Sequence, residues 1–186
     1  MSDGGDEPPA WSLQAGIEPQ AWPQTARDAT AGLRQGALVV SPPFIYAASA
    51  DHAIHAVTRA WAASPSSQSG AVNVVSAEGR PPYGLIVTQT CDLVEEGKPK
   101  RPWVQIAPVY LLFANSGDRT KIQQGRGFDY LVPITGLTPP EGALWVADLR
   151  VLIPAEKGWL VGRETLAAFD DEAGYDRLAQ QLGHRF

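Results

Sequence analysis

Short apolar segments separated by glycine, proline and polar turns dominate the chain from residue 36 onward. The segment 36–40 stops at a Ser-Pro-Pro string, and 83–89 is almost continuously apolar. A continuous apolar run of this length is typical of a strand that is buried on both faces of a sheet. The same pattern predicts further strands at 72–75, 103–110, 128–135, 144–153 and 158–161.

Two segments instead carry apolar residues at helical spacing. The first is 49–62, with Ser49 as its N-cap. The second spans 170–183, where Asp170 or Asp171 caps the helix and a glycine ends it. Its apolar stripe consists of Tyr175, Leu178, Ala179 and Leu182.

Short strands followed by one late helix predict a mainly β fold with minor α, arranged as a small, strongly curved sheet or barrel. We expect a single domain over 34–186, with a helical insertion at 41–71. Residues 1–33 are rich in proline, and most of their charges are acidic. They predict an N-terminal arm outside that domain.

Composition narrows the class of protein. With 186 residues, 44% of them apolar, the chain can bury a sufficient core without disulfides or a metal. The single cysteine excludes an internal disulfide framework and a cysteine-based zinc site. A net charge of −5 argues against coating by nucleic acid but leaves room for a local basic patch. The acidic N-terminus and the lack of a long apolar run predict a cytoplasmic protein with no membrane partner.

Five segments follow one another in an order found in a known family of small β proteins. They are 34–40, 79–87, 103–110, 143–160 and 171–183. Within 79–87 a Gly-Arg-Pro string runs directly into a hydrophobic strand. In this order the chain resembles the MazF/PemK-like toxins, with 41–71 as an insertion. The resemblance implies an SH3-like barrel with a C-terminal helix.

The resemblance also implies a chemistry. In that family the arginine before the proline and a threonine or serine at the end of the next strand act together in metal-independent RNA cleavage. Arg80 matches the arginine, whereas Tyr110 stands near the threonine position. Arg80 would then stabilise the charge of the phosphorane. Because the threonine is missing, the resemblance leaves open whether the chain cleaves RNA or only contacts it.

Partners follow from the same hypothesis. They are RNA, an antitoxin or defence-system subunit, and a second copy of the chain. The alternative is a non-catalytic protein-interaction module of a toxin–antitoxin or phage-defence system. No cofactor is expected, because the sequence has no glycine-rich phosphate loop and no dinucleotide fingerprint.

The string Thr-Gln-Thr-Cys-Asp at 88–92 follows a predicted buried strand. A strand end presents exposed reactive groups on a rigid support, so we select Gln89, Cys91 and Asp92 as candidate catalytic residues. Together with Arg80 they are predicted to line one cleft. Alternatively, Cys91 is a small buried residue and Asp92 bonds the backbone of a turn.

A third hypothesis is a Cys91-dependent enzyme, in which a histidine activates the thiol. His52 and His55 are the internal candidates for that base, and His184 lies near the C-terminus. With Asp51, the first two histidines offer part of a metal site, but further ligands at a suitable spacing are missing, so no metal is expected.

Basic residues near an aromatic side chain suggest a nucleic-acid contact. One cluster directly precedes Trp103, and a second contains Arg119, so both loops are predicted to hold phosphates while Trp103 or Tyr110 stacks on a base. The alternative is a solvated hairpin loop beside Glu95 and Glu96. The candidate nucleic-acid-binding residues are Lys98, Lys100, Arg101, Trp103 and Arg119.

Overall fold

The structure, a computed structural model, describes residues 23–42, 44–49, 51, 59, 62–63, 72–76, 81–93 and 102–183. The strands are β1 (Ala37–Val40), β2 (Ile45–Ser49), β3 (Val72–Ser76), β4 (Tyr83–Ile86), β5 (Trp103–Phe113), β6 (Leu131–Pro133), β7 (Ala143–Asp148), β8 (Ile153–Glu156) and β9 (Thr165–Ala167). The helices are α1 (Gln24–Ala31), α2 (Thr90–Leu93), α3 (Ser116–Gln123) and α4 (Glu172–Gly183), with a 3-10 turn at Lys157–Leu160.

Seven of these strands form one antiparallel sheet in the order β6-β7-β5-β4-β1-β9, and β8 also pairs with β5. The longest strand, β5, has 11 residues and pairs with three others. Its start pairs with β8 and its end with β7, while β4 pairs with its middle. Strands β2 and β3 form a separate two-stranded sheet. The prediction of a mainly β fold with minor α is confirmed.

Both faces of the central strands are buried, as the continuous apolar runs predict. One face packs under α4, and the other packs against α1 and the 3-10 turn. On the α4 side the core includes Leu38, Leu85, Val109, Leu178 and Leu182. On the α1 side it includes Leu33, Val39, Ile86, Ile106 and Leu160. Successive strand residues alternate between the two clusters, because side chains of a strand point to opposite faces in turn.

The two ends of the sheet approach each other just beyond β6 and β9. The Gly136 amide donates to the carbonyl of Ala168 at 2.8 Å. A Cβ added at Gly136 would lie 2.4 Å from the Ala167 carbonyl oxygen, so only glycine fits this approach. The described pairings do not include one between β6 and β9. A closed barrel therefore stays a prediction.

Two predicted strands differ from the structure. The segment 144–153 is broken into β7 and β8, because the buried carboxylate of Asp148 accepts from the amide and guanidinium of Arg150 and turns the chain. The segment 158–161 is a 3-10 turn instead, which places Leu160 in the core beside Leu33. Apolar content alone does not distinguish a short strand from one buried turn.

Other boundaries also shift. Ser49 ends β2 and so is not the N-cap of the predicted helix 49–62, most of which lies outside the described residues, although Arg59 and Ala62 are helical. Part of the predicted arm 1–33 forms α1, in which Ala26 and Thr30 are buried, and residues 1–22 lie outside the described residues. The late helix is confirmed as α4, and Asp171 accepts from the amide of Gly174 at its first turn.

The described helices include none that combines the length and apolar character required to cross a bilayer.

Candidate functional site

The candidate site is the segment 88–93, which contains the end of the connection from β4 and the single-turn helix α2. We call this segment the turn. Two hydrogen bonds to one carbonyl hold its backbone. The amides of Asp92 and Leu93 both donate to the carbonyl of Gln89, at 2.9 and 3.1 Å. Leu93 is fully buried in the core on the α1 side. The turn is therefore fixed at its end by apolar packing and in its middle by the helical hydrogen bonds.

Threonine hydroxyls extend the sheet into this turn. The Thr88 hydroxyl accepts from the amide of Gln105 on β5 at 2.7 Å, and the Thr90 hydroxyl accepts from the amide of Gln35 at 3.1 Å. The Gln35 side chain also donates to the carbonyl of Val87 at 2.7 Å. The turn is thus tied to both neighbouring segments, which is the rigid support that the sequence pattern predicts.

A buried lysine holds the turn from a third direction. Lys157, in the 3-10 turn, is 2% exposed, and its Nζ donates to the carbonyl of Asp92 at 2.6 Å. A cation is favourable there because carbonyl groups at the end of a helix carry partial negative charge. The sequence gives no signal for this role, since Lys157 is a single lysine 66 positions beyond Cys91 with no motif around it.

The side chains of the turn remain exposed although its backbone is clamped. Gln89, Thr90, Cys91 and Asp92 are all exposed, so the alternative of a buried Cys91 does not apply. The Cys91 thiol donates to the side-chain carbonyl of Gln89 at 3.7 Å. Two of the three candidate catalytic side chains of this turn therefore contact each other.

A cleft of about 880 Å³ opens beside the turn. Leu152 and Leu182 contribute to its apolar wall, and its polar lining consists of Gln35, Thr88, Gln89, Asp92 and Gln105. Trp103, the first residue of β5, also lines the cleft and is 49% exposed. The volume of the cleft lies within the range of about 300–1,000 Å³ that is usual for ligand pockets. The structure thus brings Gln89, Asp92 and Trp103 to one cleft.

Tyr110 lies elsewhere on β5. It stands five positions after Gln105, which corresponds to about 17 Å of strand. It is near Arg150, with which it interacts electrostatically, and Arg150 stacks on Tyr130 at 4.0 Å. Hydrogen bonding to Asp148 raises the pKa of Arg150 above its ordinary value, so this guanidinium stays charged. Tyr110 therefore does not share the cleft with Gln89.

The remaining candidates separate into two groups. Arg119 lies on α3, which follows the opposite end of β5 from Trp103. The other group lies outside the described residues. It includes residues on which the predicted phosphate contacts, the cleavage chemistry and the histidine base depend. It consists of Arg80, Lys98, Lys100, Arg101, His52, His55 and His184.

The described residues contain no group of three or more histidine, cysteine or carboxylate side chains placed to hold a metal ion. Comparison of the chain with protein-family models, with curated proteins and with solved structures finds no match. The MazF/PemK-like resemblance consequently stays a prediction, and the function is argued from the cleft itself.

Proposed function

We propose that this protein contacts single-stranded RNA and seats one unpaired base in the cleft beside residues 88–93. The observation that carries the proposal is the half-exposed Trp103 ring at a cleft whose polar lining is mostly glutamine. Unpaired bases are bound in this way, by stacking on aromatic rings and by hydrogen bonds to their edges. The planar amide groups supply such bonds, and the apolar wall accommodates the face of the base.

Charge distinguishes base binding from phosphate binding at this place. Among the described residues that line the cleft none is lysine or arginine. The base, and not the phosphate, is therefore the group that suits the cleft. The sequence supplies Lys98, Lys100 and Arg101 shortly before Trp103, and we assign phosphate contacts to them. The proposal is one of binding; cleavage would depend on Arg80, as the resemblance implies.

The test compares two exposed aromatic residues at opposite ends of one strand. Trp103 begins β5 and Phe113, which is 69% exposed, ends it. Fluorescence anisotropy of a labelled 12-nucleotide RNA that contains all four bases would measure affinity. Trp103→Ala removes a stacking platform and is expected to weaken binding about tenfold or more. Phe113→Ala is the matched control and should bind like the unchanged protein.

A DNA strand of the same sequence is the second arm. Equal or tighter binding of DNA would contradict RNA as the ligand. Failure of the unchanged protein to bind either strand would overturn the whole proposal and favour the protein-interaction module. Equal losses in Trp103→Ala and Phe113→Ala would show that the cleft is not the binding place.

A further inference from the structure

Two side chains of the clamped turn present opposite hydrogen-bonding groups. The Gln89 carbonyl accepts from the Cys91 thiol, so the NH₂ at the other end of the amide is the group that we assign to a ligand. Asp92 presents its two carboxylate oxygens as acceptors. No hydrogen bond or ion pair between its carboxylate and another described residue is seen, and it lines the cleft.

This order of groups defines what a base edge must supply. The edge needs an acceptor for the Gln89 amide and donors for the Asp92 carboxylate. Two adjacent N–H donors make the best match, because a carboxylate accepts two parallel hydrogen bonds and such charge-assisted pairs are the strong ones. The Watson–Crick edge of guanine carries the O6 acceptor beside the N1–H and N2–H donors.

We propose that the base seated in the cleft is guanine, with Gln89 on O6 and Asp92 on N1–H and N2–H. This inference rests on the proposed function. Adenine and cytosine each offer the carboxylate one amino group, and uracil offers one ring N–H beside a repelling carbonyl. Guanine alone among the four bases satisfies both oxygens of Asp92.

The Cys91 thiol contacts the carbonyl end of the Gln89 amide and so favours the orientation in which the NH₂ is directed away from it. Lys157 holds the main-chain carbonyl of Asp92. Both contacts are made by the protein alone, so the backbone that carries these side chains is placed before a ligand binds.

The experiment uses 9-nucleotide RNAs that differ only in the central base, which is guanosine, inosine, adenosine or xanthosine among uridines. The unchanged protein should bind guanosine roughly tenfold or more tightly than adenosine, in keeping with the value of a bidentate contact. Inosine, which lacks the N2 amine, should fall between them. Binding is measured by anisotropy at one salt concentration.

The deciding variant is Asp92→Asn. An amide presents one acceptor and one donor, so it repels the guanine N2 amine and matches xanthine, which has a carbonyl at that place. The variant should lose affinity for guanosine and gain affinity for xanthosine, an inversion that damage to the fold would not produce. Asp176→Asn, at an exposed carboxylate on α4, is the matched control and should keep the preference for guanosine.

The outcomes separate this inference from the proposed function. If the RNAs bind with one affinity whatever the central base, guanine selection is overturned while RNA binding stands. A variant that weakens on all four RNAs in the same proportion would also overturn it. Absence of binding to every RNA would mean that the proposed function itself has failed.

Discussion

Lys157 controls the candidate site from a distant part of the sequence. Its ammonium group is buried, and it donates to a main-chain oxygen of the turn that carries Cys91 and Asp92. A hydrogen bond from a charged donor contributes about 1.5–3 kcal/mol. The lysine therefore holds the backbone that carries the exposed side chains of the turn, although it is not among the described residues that line the cleft.

We expect Lys157→Met to lower the free energy of unfolding by about 2 kcal/mol, because it leaves the Asp92 carbonyl without its charged donor. Affinity for guanosine-containing RNA should fall as well. Lys121→Met is the matched control, since the exposed Lys121 side chain forms a surface ion pair with Asp118. Urea unfolding of both variants checks this, and equal stability of the two would contradict the role given to Lys157.

At the scale of elements, the break between β7 and β8 shapes the long strand beside them. Both β7 and β8 pair with β5. The register of the β8 pairing is shifted by three residues relative to that of the β7 pairing. The extra residues form the turn in which Arg150 pairs with the buried carboxylate of Asp148 at 2.7 Å. Two short strands thereby follow one edge of β5, as a curved sheet requires.

Replacing Arg150 by methionine should destabilise this break. The Asp148 carboxylate is 6% exposed and would lose its guanidinium donors, at a cost of about 2 kcal/mol. Arg163→Met is a suitable comparison, because Arg163 stacks on Trp159 at 4.7 Å and no ion pair of it with a described carboxylate is seen. Thermal unfolding followed by circular dichroism should show a clearly larger drop for the Arg150 variant. Equal drops would argue against Asp148 as the cause of the break.

Sequence patterns predict the elements that bury a regular apolar face. Residues 85–87 of the run at 83–89 and the stripe at Leu178 and Leu182 are both confirmed in the core. Elements without such a face escape detection: β9 has only exposed side chains, and α3 buries the single residue Ile122. Their formation depends on pairing and packing with segments distant in sequence, which no local pattern encodes.

The sequence likewise predicts only part of the candidate site. A polar string at a strand end predicts exposed groups on a rigid support, and Gln89, Cys91 and Asp92 are exposed on a clamped turn. Gln35 and Gln105 are missed, because they reach the cleft only through the pairing of β4 with its two neighbours. Separation of Tyr110 from Gln89 likewise follows from strand register and not from local sequence.

At the scale of the whole molecule, we expect β5 to be the last strand to open. Its residues Ile106 and Val109 are fully buried and lie where β5 pairs with strands on both sides. Amide hydrogens in such a strand exchange with solvent only in near-global unfolding, whereas those of an exposed edge exchange through local opening. We expect the slowest deuterium uptake at 106–109 and much faster uptake at β9, measured by hydrogen exchange with mass spectrometry.

Trp103 begins that same strand. The ring to which we assign base stacking is therefore attached to the segment that we expect to open last, so local fluctuations of β9 would leave the proposed binding surface in place. Ligand binding should accordingly slow exchange at the residues of the turn and leave the pattern along β5 unchanged.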